Sequence, residues 1–575
     1  MVVFLQNRMY NQNELPTATA KEPPVRIGGL FILILETITL ASGQALAEEY
    51  RRDYGRVKDL YAYNPWDSAA WELRAARRDD RTAPAADRKQ VADALLAFNK
   101  KIGNANEAIR QIERLQDPRA LVLTGGQQAG LFSGELLVIY KAVTILHAAR
   151  VAEAKLNRPV IPVFWIAGED HDFDEVNHIA YLNPRLETEK IVLPQPGKNR
   201  TSVSRTVIPD WEPVLLDLEA SLLDTEFKTA LMEKLKKIAA ESPTLTEFFA
   251  RMLAWQFGEQ GLVLLDSDDP ALRACERDFF RELLTRQPEL TDALLTGRQA
   301  VERLGYAPQA DVNPDGANLF LFDEETGDRI LLYRKDGRFT DRRGERSFTL
   351  EELLTRLENS PQDFSNNVLT RPLMQDYLLP VLGSVLGPGE LAYWGLTRSA
   401  FEAFGLDMPI LIPRKSFTLI EGTVAKHMRL YDLSLADVFQ RLEERKQAWL
   451  KEQDNLGIEE TFALAKERLR EDYRPVVELV SSINPGMAKL ASVNLMKIME
   501  QVEFLEARST EAYRSQFDAS IRQWDRIGMS LYPGGKPQER VYNLLAYLVK
   551  YGNSWLWELT DNVTEEWGEH RAVYF

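Results

Sequence analysis

Residues 120–172 leave few folds open to this chain. The apolar run Ala120-Leu-Val-Leu-Thr124 passes into Gly125-Gly-Gln-Gln-Ala-Gly-Leu-Phe-Ser-Gly134, and a long amphipathic helical stretch follows. A second apolar run, Val160 to Ala167, then stops abruptly at Gly168-Glu-Asp-His-Asp172. Strand, glycine-rich turn, helix and strand in that order predict a right-handed parallel βαβ crossover. Ligands of parallel α/β sheets sit beyond the carboxyl ends of the strands. The ionisable groups of residues 169–172 therefore fall where such a fold places a site.

At 575 residues the chain exceeds one ordinary domain, so several units are expected. Its formal net charge of −16, with no long Lys/Arg block, argues against general nucleic-acid binding. Any anionic ligand must then be met by local cations or helix N-termini. The single cysteine, Cys275, excludes an internal disulfide or a thiolate metal cluster and suits a reducing cytosol. Gly28–Leu40 has some look of an export signal. However, Glu36 interrupts it, its charged flank is weak, and it is too short to span a membrane. A buried strand or helix, or an N-terminal extension, are the alternatives.

Residues 1–44 read as an extension, disordered or extended at least to residue 27. Helices are expected over Ala45–Leu60 and Asp87–Leu115. A core would run from 45 to 285, with short strands at Lys190–Leu193 and Gly261–Asp266. An α+β insertion would follow at 286–365, where Ala317–Phe322 and Arg329–Tyr333 flank Glu324-Glu-Thr-Gly327 as a hairpin. Residues 366–425 return to the core with Pro409–Pro413 as a strand. Beyond that, Ala491, Leu495, Ile498, Val502, Leu505 and Ala512 keep a 3.5-residue period, the mark of a coiled-coil seam within 426–525. Pro475 and Pro485 should break this segment into a helical hairpin or arm. Residues 526–575 form a compact helical tail.

Gly125, Gly126, Gly130 and Gly134 permit close backbone approach and positive φ. Ser133 is placed to cap the following helix, whose amides would then face a phosphate or carboxylate. The loop is no Walker motif, because Leu131 and Phe132 replace Lys and Ser/Thr. A tight structural turn is the competing reading. Gln127 and Gln128 offer neutral hydrogen bonds. His171 titrates near neutrality and could act as general base or as orienting donor. Asp170, Asp172 and Asp174 suit Mg²⁺ with a phosphate, and zinc is less apt, with thiolates lacking and His178 seven residues away. Strand-end caps are the plain alternative for the whole cluster. Lys141, inside the helix, reaches a ligand or is solvated. Gly387-Pro-Gly389-Glu390 with Tyr393 and Trp394 walls a pocket or is a turn beside core aromatics. Asn366 and Arg371 stand before Pro372, the guanidinium suited to carboxylate or phosphate or else to a surface ion pair. Arg414-Lys415-Ser416 follows a core strand with two cations and a hydroxyl. Cys275 reads as a small buried apolar residue, not a nucleophile.

Thr124–Gly134, Ile139-Tyr-Lys-Ala142, Pro162-Val-Phe-Trp165-Ile-Ala-Gly-Glu169-Asp-His-Asp172, Gly261–Pro270, Arg371-Pro372, Gly387–Trp394 and Gln538-Glu-Arg540 together resemble the bacillithiol biosynthesis cysteine-adding enzymes. The resemblance runs collinearly over about residues 45–575 and leaves the first forty or so outside it. That family usually reads Thr-Gly-Gln-Gln, so the extra glycine at 125–126 implies a wider turn. The resemblance implies a Rossmann-like core akin to class I aminoacyl-tRNA synthetases, a connective-peptide insertion and a coiled coil that makes homodimers. It further implies joining of the L-cysteine carboxyl to the glucosamine amine of GlcN-malate, giving bacillithiol in the cytoplasm.

Such a condensation needs an activated acyl group, so ATP or another nucleotide is implied, with Mg²⁺ compatible and no zinc site evident. The synthetase signatures HIGH and KMSKS are absent, and Arg414-Lys415-Ser416 is at best a remnant. Under this reading His171 with Asp172 and Asp170 handles the amine. The glycine segment, Lys141, Trp165, Glu169, Asn366, Arg371 and residues 387–394 bind substrate. Arg371 and Lys415 neutralise malate or phosphate charge. Arg414, Lys415, Ser416, Gly535, Gln538 and Arg540 border a nucleotide pocket. The competing readings are a coiled-coil scaffold with a degenerate core, and a nucleotide-dependent ligase for a different amine.

Overall fold

A computed structural model describes residues 34–38, 43–197, 200–323, 325–453, 456–561 and 566–575. Its centre is a five-stranded sheet of β1 (Leu121–Gln127), β2 (Val160–Ile166), β3 (Val263–Asp266), β4 (Val381–Leu386) and β5 (Ile410–Pro413). The spatial order is β5-β4-β1-β2-β3, and every neighbouring pair is parallel. Nearly every residue of these strands is buried, as expected of a parallel sheet covered on both faces. The chain runs outward from β1 to β3, then resumes on the other side of β1 with β4 and β5. Strand order therefore reverses between β1 and β4, the place where doubly wound sheets take ligands.

The helix joining β1 to β2, α1 (Leu136–Leu156), is buried on almost every side over its first four turns, not amphipathic as its sequence suggests. The C-terminal tail explains this, because Trp555, Leu556 and Leu559 join the same apolar cluster and cover the face that would otherwise meet water. The N-terminal helical stretch is also more broken than its periodicity implies. Helices span Ala45–Arg52, Ser68–Asp79, Arg88–Lys101 and Asn106–Arg114, with Gly103 at φ 67° ending the third.

The inserted region carries an antiparallel five-stranded sheet that includes the expected hairpin, Gly316–Phe322 against Arg329–Lys335, and ends with Phe364–Asn366. Residues 34–38 are not an unstructured extension. They pair antiparallel with His570–Tyr574, which runs parallel to Ser416–Ile420. The rest of the signal-like segment, residues 28–33 and 39–40, lies outside the described residues.

Two long helices, α5 (Ile458–Ile483) and α6 (Met487–Arg514), pack as a hairpin. Pro485 sits in the turn, but Pro475 lies inside α5 without ending it. Its missing N–H leaves one carbonyl of the preceding turn without a helical bond, on a stretch of the arm that is open to solvent. Ala491 is buried in the seam and Leu495, Ile498 and Val502 half-buried, whereas Leu505 is 58% exposed.

Candidate functional site

At the reversal of strand order, β1 and β4 present their carboxyl ends side by side. Lys141, on the second turn of α1, is 1% exposed and points back over the end of β1. Its ammonium donates to Gly126 O, to Gln127 Oε1 (3.0 Å) and to Glu390 Oε2 (2.6 Å). It is thus neither solvated nor available without cost. Burial pulls its pKa down while Glu390 pulls it up. Glu390 belongs to α4 (Pro388–Trp394), which follows β4, and the same oxygen accepts Gly387 N (2.8 Å) as an N-terminal cap. Arg371 opens helix α3 (Arg371–Leu378) and is not in a loop. Its Nη2 donates to Tyr393 OH (2.9 Å), so guanidinium and phenol face the same edge half-buried.

At the adjacent strand end, Gln128 Nε2 donates to Asp170 Oδ2 (2.6 Å). This bond ties the segment after β1 to the acid–histidine cluster after β2, so the two expected halves of the site do adjoin. Asp170 Oδ1 accepts His171 N (2.7 Å), and Asp172 Oδ1 accepts Arg200 Nη2 (2.6 Å). Both carboxylates are therefore already engaged within the protein. Among the described residues no group of three or more His, Cys, Asp or Glu is arranged to hold a metal ion. The inserted sheet brings Arg329 against His171, Nη1 to Nδ1 3.3 Å. Burial first, then this cation, lowers the His171 pKa, which keeps the ring neutral near pH 7.

Asn366, also from the inserted sheet, is 2% exposed, and neither atom of its carboxamide finds a protein partner. A buried amide left so costs about 1–3 kcal/mol, which a bound polar group would recover.

Several expected contacts are replaced by structural ones. Gly125 and Gly126 are not a turn but paired residues of β1, opposite Phe164 and Trp165. A Cβ at Gly125 would lie 2.8 Å from Val385 O, and one at Gly126 2.8 Å from Trp165 O, so glycine is required by strand packing. Ser133 does not cap α1. It is buried at φ 75° and accepts from Gln256 Nε2 (3.2 Å). The start of α1 faces the tail instead: Leu136 N donates to Tyr542 O (2.9 Å), and Asn543 Nδ2 donates to Phe132 O and Gly134 O. Gly130 and Gly134 are in mutual contact, and this half of the segment is closed to an anion.

Trp165 and Trp394 are fully buried in the core and touch no open edge. Glu169 is 4% exposed and ion-paired to Arg273, which also binds Glu276 Oε2 (2.6 Å). Beside it Asp266, at the end of β3, accepts Ser204 Oγ (2.9 Å), and burial together with Asp268 pushes its pKa up to about 7.

A separate cavity of about 80 Å³ opens beyond β4 and β5, lined in part by Arg51, Leu391, Arg414, Glu539, Arg540 and His570. Its cations are not equivalent. Arg414 makes a bidentate buried pair with Glu539 (2.9 and 2.7 Å), which also takes Ser416 Oγ (3.3 Å). Freeing that arginine for a phosphate would strand a buried carboxylate at about 3–5 kcal/mol. Lys415 is buried with its ammonium on Glu566 O, and Gln538 is spent on Leu419 and Ser530 backbone. These three are fold contacts. Arg540 is exposed, with no ion pair among the described residues, and Gly534 and Gly535 leave open space beside the tail.

Arg329, Arg200 and Arg273 were not singled out by sequence. No local pattern marks them, since Arg329 meets His171 across 158 residues of chain. Cys275 is half-buried, and burial raises its thiol pKa to about 11, consistent with no nucleophilic role.

Residues 33–415 match the family described as "Bacillithiol biosynthesis BshC, N-terminal Rossmann-like domain", and residues 417–575 its C-terminal coiled-coil domain. The chain belongs to the BshC family. The match begins at residue 33, so BshC similarity extends further toward the N-terminus than residue 45. Relatives named "Putative cysteine ligase BshC" include one from Geobacillus sp. (strain WCH70), 35% identical over 93% of this chain and 99% of its own. Another, from Symbiobacterium thermophilum, is 36% identical over 93% and 98%. A third, from Heliobacterium modesticaldum, is 36% identical over 92% and 97%. The protein is accordingly a BshC ligase with a Rossmann-like core and a helical coiled-coil region. A solved chain described as "putative arginyl T-RNA synthetase" from Campylobacter jejuni aligns at 10% identity with a TM-score of 0.20, too low to carry an argument. Among the described residues no helix is long and apolar enough to cross a membrane.

Proposed function

We propose that this BshC protein joins the carboxyl of L-cysteine to the glucosamine amine of GlcN-malate, forming bacillithiol in the cytoplasm. The observation that carries the reading is the row of buried and half-buried polar groups along the carboxyl edge of the sheet: Gln127, Lys141 with Glu390, Arg371 with Tyr393, and His171. It lies where the strand order reverses. Arg371 suits a malate carboxylate, because a half-buried guanidinium binds a planar anion with two parallel hydrogen bonds. The unsatisfied carboxamide of Asn366 suits a sugar hydroxyl.

A nucleotide, when bound, would supply the leaving group that makes the cysteine carboxyl electrophilic. The cavity beyond β4 and β5 fits its phosphates through Arg540 and Arg51. Helix α4 is shared between the two places, with Pro388 and Leu391 facing the cavity and Glu390 holding Lys141. The chemistry here gives a nucleotide cations but no carboxylate cage, so no step is assigned to Mg²⁺.

We infer that two copies associate through the arm, since Leu479, Ile483, Leu490 and Phe504 are 58–70% exposed along it. The same surface would serve a scaffold. A His171→Ala variant separates the two readings: loss of bacillithiol supports catalysis, while unchanged bacillithiol together with dependence on residues 456–514 supports scaffolding.

The direct test incubates folded protein with cysteine, GlcN-malate and ATP, then other nucleotides, and seeks the thiol product by mass spectrometry. Absence of product under every nucleotide condition would overturn the proposal. Product with a different amine only would point to another acceptor.

A further inference from the structure

The orientation of the His171 ring is set from outside the Rossmann-like core. Arg329 opens the second strand of the inserted hairpin, and almost every group on it is fixed. Its Nε donates to Ser365 Oγ (2.8 Å), its Nη2 to Asn366 O (2.7 Å), and its backbone N to Arg200 O (3.1 Å). The guanidinium carbon lies 3.7 Å from the centre of the Phe320 ring, close enough for a cation–π contact. What remains is Nη1, and it faces His171 Nδ1 at 3.3 Å.

The other charged groups around the imidazole stand further off. Asp170 Oδ1 is 3.7 Å from Nδ1 and Asp172 Oδ1 is 3.8 Å from Nε2, while Arg200 is drawn onto Asp172. Phe320 closes one side, its ring centre 5.8 Å from that of the histidine. A guanidinium offers only donors. The nitrogen in front of it must therefore present a lone pair, and a neutral imidazole whose Nδ1 accepts carries its hydrogen on Nε2.

We propose that Arg329 is a positioning residue that fixes His171 as the neutral Nε2–H tautomer, so that the imidazole serves the site as a hydrogen-bond donor and not as the base that strips the amine. Resting on the ligase reading above, the donated N–H would meet the acyl oxygen on which negative charge grows as the amine attacks, the position where a preorganised donor contributes most. The C–N bond then forms as the activating group leaves the acyl carbon with its electron pair, and the amine proton passes to water or to the Asp172 carboxylate, whose Oδ1 lies 3.8 Å from Nε2. Arg329 thus acts on the chemistry from the inserted sheet without itself touching substrate.

The test is ring ¹⁵N spectroscopy on the full chain labelled at histidine. The sequence holds five histidines, so a His171→Gln spectrum assigns the signal by difference. In the wild type at pH 7 we expect a bare Nδ1 and a protonated Nε2. In Arg329→Met the tautomers should mix and the titration should move upward. The kcat should drop roughly tenfold or more with KM little changed, and Arg329→Lys, which keeps a charged donor, should recover part of it. A wild-type signal with Nδ1 protonated, or an imidazolium at pH 7, overturns the proposal, as does a folded Arg329→Met protein whose His171 signal is unmoved. If Arg329→Met does not fold, the wild-type spectrum still decides. The expected tautomer in a protein without ligase activity would sink the ligase reading alone.

Discussion

Lys141 Nζ lies 2.6 Å from Glu390 Oε2, bridging the helix after β1 to the helix after β4 at the one place where the strand order turns back. The ammonium is shut away from water, and Glu390 with two oxygens from residues 126 and 127 is what holds its charge there. Lys141→Met should lower stability by about 3 kcal/mol, since one partner of a buried pair is left alone, and should abolish ligation. Lys141→Met with Glu390→Gln should regain most of the stability and none of the activity. Denaturant midpoints beside turnover rates read both. Recovery of activity in the double variant would show the pair to be only a staple.

Asp266 makes stability depend on pH in a stated direction. Its folded pKa of about 7 lies above that of an unfolded aspartate, near 3.9. The folded state therefore binds the extra proton between those limits. The contribution is full below about pH 4 and is lost as pH rises through 7, by at most about 1.4 kcal/mol per pH unit. Asp266→Asn, which mimics the protonated acid, should gain stability over the wild type at pH 8 and be nearly equal to it at pH 4. Chemical unfolding at the two pH values tests the sign.

Arg540 and Arg414 line one cavity but should respond differently. Arg540→Ala removes an exposed cation and should weaken ATP binding roughly tenfold with stability unchanged, the usual worth of one charged hydrogen bond. Arg414→Ala should destabilise the protein, because it strands Glu539. Calorimetric titration and thermal melts on the two variants separate the roles.

Glu at Leu479 and Ile483, both on α5, should convert the protein to a species of one chain mass, 65.6 kDa, from one of twice that mass. Light scattering after size exclusion reads this. A wild-type mass of 65.6 kDa would remove the dimer from the account.

The βαβ frame was legible because its signals are local: Ala120–Thr124 and Val160–Ala167 are apolar runs of strand length, and residues 169–172 mark a strand end. The glycines misled, because Gly125 and Gly126 look like a turn while their true requirement is the close approach of Val385 and Trp165 from neighbouring strands. The buried start of α1 was unreadable for the same reason, since Asn543 arrives from the far end of the chain. Trp165 and Trp394 lie next to polar motif residues in sequence yet face inward, a matter of which side of strand or helix each occupies. His171 closes the strand end as its sequence position suggests, whereas Arg371 opens a helix and is not in a loop, and their partners Tyr393 and Arg329 are tertiary facts. Even the pairing of residues 34–38 depends on a strand at the opposite terminus.

The central claim is that this chain makes bacillithiol at the carboxyl edge of its sheet. The measurement that bears on it most directly is the bacillithiol and GlcN-malate content of cells lacking the gene, compared with cells given back the wild type or the Lys141→Met variant. The account predicts lost bacillithiol and accumulated GlcN-malate on deletion, restoration by the wild type and none by the variant. Undiminished bacillithiol in the deletion strain would contradict it.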